Sequence, residues 1–375
     1  MKIKISKNDT LKISTLLFWI IALHSQVSGQ PKNTWYQFRD KKTDLVGYKD
    51  AQGRIKIPTK FGEFTGSLVF NDIIAVYEEK TKQSYYLLKN GKKVGLDSLY
   101  IWDYMYDNEK ENKMRFRDKK TDKVGFFNKD GKIIIPAIYN DALSFHNGLA
   151  LVVYNGKRVC FDKICEHWSW RGINAIIDSH NKIIADSINI NEIDKIDWFA
   201  LKITNSKPDT TLYTSFKTPT DKFYSFLNRE KEFTAWFYKK YLPNLNYQEL
   251  STNCYKELVI EDNFNKNGRT YYSKAFFIKR YHTLMLQKMK NIKLNKVETH
   301  IFKEDLNEYI YTRKNFSVFY TRDGELNNEK HPGFNVVITC LTKNKKLDYQ
   351  DQFSFIWVNN GYKLIEISLG VGLNS

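Results

Sequence analysis

Six histidines stand beyond residue 29: His146, His167, His180, His282, His300 and His331. Each could titrate near neutrality. A catalytic histidine needs a nucleophile and an orienting group that converge on it, and the sequence places neither beside any of the six. The acids Glu304, Asp305 and Glu308 lie on a short polar stretch ahead of a β-rich segment. Carboxylates aimed into a pocket can act as general bases, so His300, Glu304 and Asp305 form the candidate acid–base set. A solvated loop or helix cap accounts for the same acids without chemistry. No G-x-S-x-G elbow, Walker loop, H-E-x-x-H or G-x-G-x-x-G occurs, so no catalytic residue, cofactor or metal is assigned, and a non-enzymatic reading leads.

A basic run, Lys279, Arg280, Lys288, Lys290 and Lys293, is interleaved with Phe276, Tyr281 and Met289. Basic residues among aromatics can bind single-stranded nucleic acid. An amphipathic helix that turns its lysines to solvent explains the same pattern. The run is the candidate binding surface, with anionic envelope polymers ahead of nucleic acid as its partner. The chain also holds 24 Tyr, 25 Phe and 8 Trp. On a β-rich surface such residues suit carbohydrate or peptide binding; between hairpins they are core.

The reason for preferring an envelope partner lies at the N-terminus. Lys2, Lys4, Lys7 and Lys12 precede an apolar run from Ile13 to Leu23, and the small pair Ser28-Gly29 follows. This order is that of a secretory signal, read here as residues 1–29 with cleavage between Gly29 and Gln30. The apolar run is short for a membrane span, which needs about 20 residues. Removal of the signal leaves 55 basic against 41 acidic residues, a net charge of +14. The expected location is periplasmic, cell-surface or secreted in a bacterium, with peripheral membrane or surface contact allowed by the charge. In such an oxidising compartment Cys160, Cys165, Cys254 and Cys340 are disulfide candidates, the close pair Cys160 and Cys165 leaving Cys254 for Cys340.

Phe38-Arg39-Asp40-Lys41-Lys42-Thr43-Asp44-Leu45-Val46-Gly47-Tyr48 recurs as Phe116-Arg117-Asp118-Lys119-Lys120-Thr121-Asp122-Lys123-Val124-Gly125-Phe126. Each copy runs into a turn glycine, Gly53 or Gly131, and an apolar stretch ending Ile57-Pro58 or Ile135-Pro136. A weaker copy turns at Asn90-Gly91, and a degenerate fourth lies at 175–184, displaced by an insertion around Cys160 to Trp170. Asp-Gly and Asn-Gly between apolar runs predict type I′ hairpins, and the prolines are expected to end their strands. A period of about 40 residues implies hairpin units that shelter their apolar faces against one another.

The pattern Val-Gly-Tyr/Phe, Gly-Lys/Arg-Ile-x-Ile-Pro and Phe-x-x-Gly-Leu-Ala-x-Val resembles WG, or KWG, repeats. Its best unit runs from Val124-Gly125-Phe126 through Pro136 and Tyr139-Asn140-Asp141 to Phe145-His146-Asn147-Gly148-Leu149-Ala150 and Val152. Val46 and Val124 stand where the signature tryptophan would be. The resemblance implies a binding or scaffolding array and supplies no catalytic residues.

The expected fold is mixed: an all-β hairpin-repeat domain over 30–190, a linker over 191–217, and an α+β domain over 218–375 with helices on an antiparallel sheet. Apolar spacing predicts helices from Asp221 to Leu242 and from Ser273 to Lys290. Strands are expected over 309–320 and 334–341, and a hairpin over Phe353 to Ile367. The element order of this domain resembles the cystatin-like or NTF2-like cone. The function expected is an exported binding or scaffolding protein of the envelope with a protein or glycan partner. The alternatives are an enzyme with its site in the C-terminal cone and a polyanion-binding protein acting through charge.

Overall fold

A computed structural model describes residues 34–102, 104–262, 268–293, 297–321, 325–341 and 347–370. The expected signal and its expected cleavage point, Gly29 and Gln30, lie outside the described residues. The described residues form two compact units, those within 34–109 with 129–131, and those within 110–128 with 132–370. The described chain is mostly strand, in several antiparallel sheets.

In the first unit, seven strands form one sheet in the order 69–70, 35–39, 46–50, 55–61, 73–78, 83–88, 93–94. The first two repeats each contribute three consecutive antiparallel strands, and Phe61 pairs with Glu78 where they join. Val46, Tyr48, Phe61, Ile74, Val76 and Tyr85 form the buried core. Neither repeat could bury this surface alone.

The turns differ from the type I′ expectation. The Asp50 amide donates to Arg54 O at 3.0 Å and the Gly53 amide to Asp50 O at 2.9 Å, enclosing three residues. Leu88 to Lys92 and Asp178 to Lys182 close the same way, and the Asn128 amide likewise donates to Lys132 O. Only the third loop residue is left-handed: Gly53, Gly91, Gly131 and Asn181 have φ of 80°, 84°, 70° and 65°. This is a type I turn followed by a left-handed bulge residue. Asp50, Asn128 and Asp178 each turn Oδ1 inward to accept backbone N–H groups of their own loop, which selects the three-residue form.

The prolines do not end their strands. Strand Ile55–Phe61 continues through Pro58 and strand Ile133–Tyr139 through Pro136. The register shows how: Tyr48 faces Ile57 and Val46 faces Phe61, so Gly47 alone opposes three residues that begin with Pro58. Gly125 opposes the three that begin with Pro136. The bulge lifts the proline out of the ladder, where its missing N–H does no harm.

In the second unit the third repeat is a three-stranded sheet, 113–118, 123–128 and 133–139. The fourth is built on two long strands, Leu149–Cys160 and Trp168–Asp178, flanked by 141–142 and 183–185. Their outer halves form the inserted ribbon, whose tip is closed by the Cys160–Cys165 disulfide. Tyr139 of the third repeat donates its hydroxyl to Asn181 Oδ1 in the turn of the fourth at 2.7 Å.

Residues 190–227 carry a short helix, Ile190–Ile193, and a three-stranded sheet in the order 202–204, 223–227, 213–217. Ile193, Ile196 and Phe226 share a core with Leu149, Leu151 and Ile176 of the fourth repeat. Phe223–Leu227 is thus a strand where the spacing predicts a helix, its alternation satisfied by Tyr213–Lys217. The helix begins later, at Arg229–Trp236, with Asn228 as its cap.

The last sheet has six strands in the order 269–273, 254–262, 361–369, 347–358, 333–341, 298–304. It is antiparallel except where Cys254–Asp262 runs parallel to Gly361–Leu369. Helices Arg229–Trp236 and Lys274–Lys293 pack on one face through Phe233, Phe277, Met285 and Met289. The expected strand over 309–320 is instead a 3-10 turn, Lys314–Phe319. It seats Phe316 and Phe319 on the opposite face beside Tyr255 and Ile356. The expected final hairpin is present and turns at Asn359 and Asn360, both left-handed, which is type I′ geometry.

Strand order also rules out the second expected disulfide. Two strands separate Cys254 from Cys340, about 14 Å at the usual strand spacing and twice a disulfide's Cα reach. Both thiols are free, Cys254 buried and Cys340 half-buried.

Candidate functional site

The acid–base candidates do not converge. His300 and Glu304 lie on the exposed side of edge strand Glu298–Glu304, roughly 13 Å apart at the rise of a strand. Glu304 accepts from the Asn335 side-chain amide on the neighbouring strand. Asp305 follows the strand's end and lines a separate cleft. No set of three or more His, Cys, Asp or Glu side chains suited to a metal occurs among the described residues.

That cleft, of about 400 Å³, is bounded by the third repeat at Leu143 and His146, by Asp194 to Phe199, and by Arg229, Lys303, Asp305 and Glu329. It gathers titratable groups, as an active site would, and several of them are partnered. His146 Nδ1 lies 2.5 Å from Glu329 Oε1, and its ring stacks on Trp198. Arg229 meets Asp197 Oδ2 through Nε and Nη2, and Lys303 Nζ donates to the Asp194 carbonyl at 3.0 Å. Burial would raise the Glu329 carboxyl, but the His146 contact and the charges of Lys110 and Lys303 outweigh it and hold it below the usual range. These contacts brace the walls of the cleft. His146 was legible only as a lone histidine inside the repeat motif.

A second cleft, of about 580 Å³, is walled by Trp236, Trp357 and Tyr362, with Lys239 and Lys240 at its rim. The ring centroids of Trp236 and Trp357 lie 4.9 and 4.8 Å from that of Tyr362. Local backbone geometry sets this arrangement. After Trp236 the helix widens into a π turn, Phe237–Tyr241, closed by the Leu242 amide on Phe237 O at 2.8 Å. The extra residue keeps Phe237 and Tyr241 in the core and leaves Tyr238, Lys239 and Lys240 outside. Trp357 and Tyr362 flank the type I′ turn of the final hairpin.

Beneath the rings, Tyr362 donates to Glu232 Oε2 at 2.8 Å, which also accepts from Arg229 Nη1. Burial, followed by the Glu232 charge, pushes the Tyr362 phenol far above its usual range, so it remains a donor. The Arg229 guanidinium lies 4.7 Å from the Trp357 ring centroid. A rigid aromatic wall with cations at its edge can hold a ligand with a flat apolar face and an acidic group.

The basic helix is less of a surface than its sequence suggests. Tyr281 and Met289 are core, leaving Phe276 as the exposed aromatic. Lys288 is bonded to buried Asp351 at 2.7 Å, Lys293 to the Pro243 carbonyl, and Arg280 to the Tyr281 hydroxyl. Lys279 and Lys290 point to solvent.

No curated protein matches the chain. Among solved structures, a de novo designed protein with a curved β-sheet aligns with 38% of this chain and 99% of its own, at 13% identity and a TM-score of 0.20. A likeness of that size bears on neither fold nor function. The expected cystatin-like or NTF2-like character of the C-terminal domain finds no support in these matches. The family model for the WG containing repeat matches residues 125–157, the third unit from Gly125 into the first long strand of the fourth. The repeat read in the first half of the chain is therefore, over residues 125–157, a WG-type repeat.

Proposed function

We propose that the chain is an exported, non-enzymatic binding protein of a bacterial envelope, whose repeats serve as scaffold and whose second cleft takes an acidic glycan. The observation that carries this reading is the contact of Trp236 and Trp357 with Tyr362 along one wall of that cleft, beneath Lys239 and Lys240. Sugar rings present flat C–H faces that stack on aromatic rings, and lysines pair with uronate carboxylates. The cleft's volume falls in the range of small-ligand sites. The pairing of His146 with Glu329 and of Arg229 with Asp197 in the first cleft supports binding over catalysis.

Titration of the chain with an oligo-uronate and with a neutral oligosaccharide of equal length, followed by tryptophan fluorescence, tests the reading. The uronate should quench and the neutral sugar should bind more weakly. Trp236→Ala and the double variant Lys239→Ala/Lys240→Ala should each cost about tenfold or more in affinity. No response to either sugar, or unchanged affinity in Trp236→Ala, would overturn it.

A further inference from the structure

The ribbon of the fourth repeat contributes nothing to either cleft. From Tyr154 to Cys160 it runs roughly 20 Å past the last buried pairs of the sheet. At its tip Phe161 is 71% and Ile164 80% exposed. These side chains are held in that position. The Cys160–Cys165 disulfide closes the loop, and the Phe161 amide donates to His167 O at 2.7 Å. The Asp162 carboxylate accepts from the amides of Ile164, Glu166 and His167. A tip so braced cannot fold its apolar residues back onto the protein, and exposed apolar groups at a rigid apex mark a contact surface.

Behind the tip come two tryptophans and then a band of cations. Trp168 and Trp170 meet edge to face at 5.3 Å, with the Arg158 guanidinium 4.2 and 5.3 Å from their centroids. Lys157 and Arg171 are directly paired across the strands, and neither has an ion pair among the described residues. Like charges opposite one another oppose strand pairing, so this pair calls for an external anion. Lys163 adds an exposed cation at the tip, in the same loop as the exposed Glu166.

We propose that this tip is a membrane-surface anchor that seats Phe161 and Ile164 among the headgroups of an anionic bilayer. Apolar apex, indole layer and cation band follow the order in which a bilayer interface presents acyl chains, the headgroup boundary and anionic charge. The anchor is independent of the glycan reading, because the two sites share no residue.

Flotation of the full chain with vesicles of phosphatidylglycerol and phosphatidylcholine, and with phosphatidylcholine alone, tests it. The chain should float with the anionic vesicles and poorly with the neutral ones. Phe161→Asp/Ile164→Asp should lower anionic-vesicle binding by about tenfold or more with an unchanged melting temperature, since both side chains are solvent-exposed. Lys157→Glu should weaken binding further at low salt. Trp236→Ala should float as the wild type does, which separates the anchor from the cleft. Absence of flotation would overturn the proposal and turn attention to a protein partner at the tip. Full binding by the double aspartate variant would overturn it in favour of diffuse charge.

Discussion

Pro136 crosses directly over Gly125. A Cβ on Gly125 would stand 2.8 Å from the Pro136 carbonyl carbon and 2.5 Å from the Ile135 oxygen. Gly47 beneath Pro58 has the same geometry, at 2.9 and 2.6 Å. The motif's glycine and proline are thus one structural device. The proline forces a bulge, and only a residue without a side chain fits under it.

The glycines of the repeat should therefore differ in cost. Gly91 has open space around its missing side chain, so Gly91→Ala should lose about 1–2 kcal/mol, the cost of left-handed backbone for an L-residue. Gly125→Ala forces backbone apart and should lose about 3 kcal/mol. Denaturant unfolding of the two variants gives the order, and the reverse order would contradict the bulge account.

Asn140, 2% exposed, holds Gly156 by both edges of its amide, accepting from its N–H at 2.8 Å and donating to its carbonyl at 3.2 Å. This clamp sits where the ladder between Tyr154 and Lys157 slips. Asn140→Ala should cost about 2–3 kcal/mol and speed hydrogen exchange at Gly156. Unchanged exchange would place the root of the ribbon under other control.

Lys288 and Lys290 share a helix but not a role. The Lys288–Asp351 pair is nearly buried, so Lys288→Ala should cost about 3–5 kcal/mol by leaving Asp351 unpaired. Lys290→Ala should stay within about 0.5 kcal/mol. Melting curves distinguish the two.

Thiol counting checks the cysteine assignment. Burial pushes the Cys254 thiol up to about 12, so it should resist alkylation in the native chain while half-buried Cys340 reacts. Without reductant, native protein should show one reactive thiol and denatured protein two. Zero in denaturant would restore the Cys254–Cys340 bridge.

Glu78 links the first two repeats to acid stability. The Lys93 and Tyr85 hydrogen bonds, with Lys60, lower its carboxyl from 4.5 to about 2 against the effect of burial. A depressed folded value stabilises above the unfolded one, so this contribution is complete above about pH 4.5 and fades as pH falls toward about 2. Glu78→Gln should destabilise the chain at pH 7 and flatten its stability between those limits. An identical acid profile in the variant would remove Glu78 from the account.

Much of this was legible locally. The repeat period, the positions of its turns, the Cys160–Cys165 closure, the long helix and the final hairpin all follow from residues close in sequence. Spacing alone could not choose the turn form, because the side chains of Asp50 and Asp178 capture loop amides and favour three residues over two. It could not show that Phe223–Leu227 is a strand, because Tyr213–Lys217 supplies the partner. Both clefts, the separation of Cys254 from Cys340 and the burial of Lys288 depend on strand order and helix placement. Those are set by which apolar faces meet across long stretches of chain, and tertiary packing decides that where local pattern does not reach.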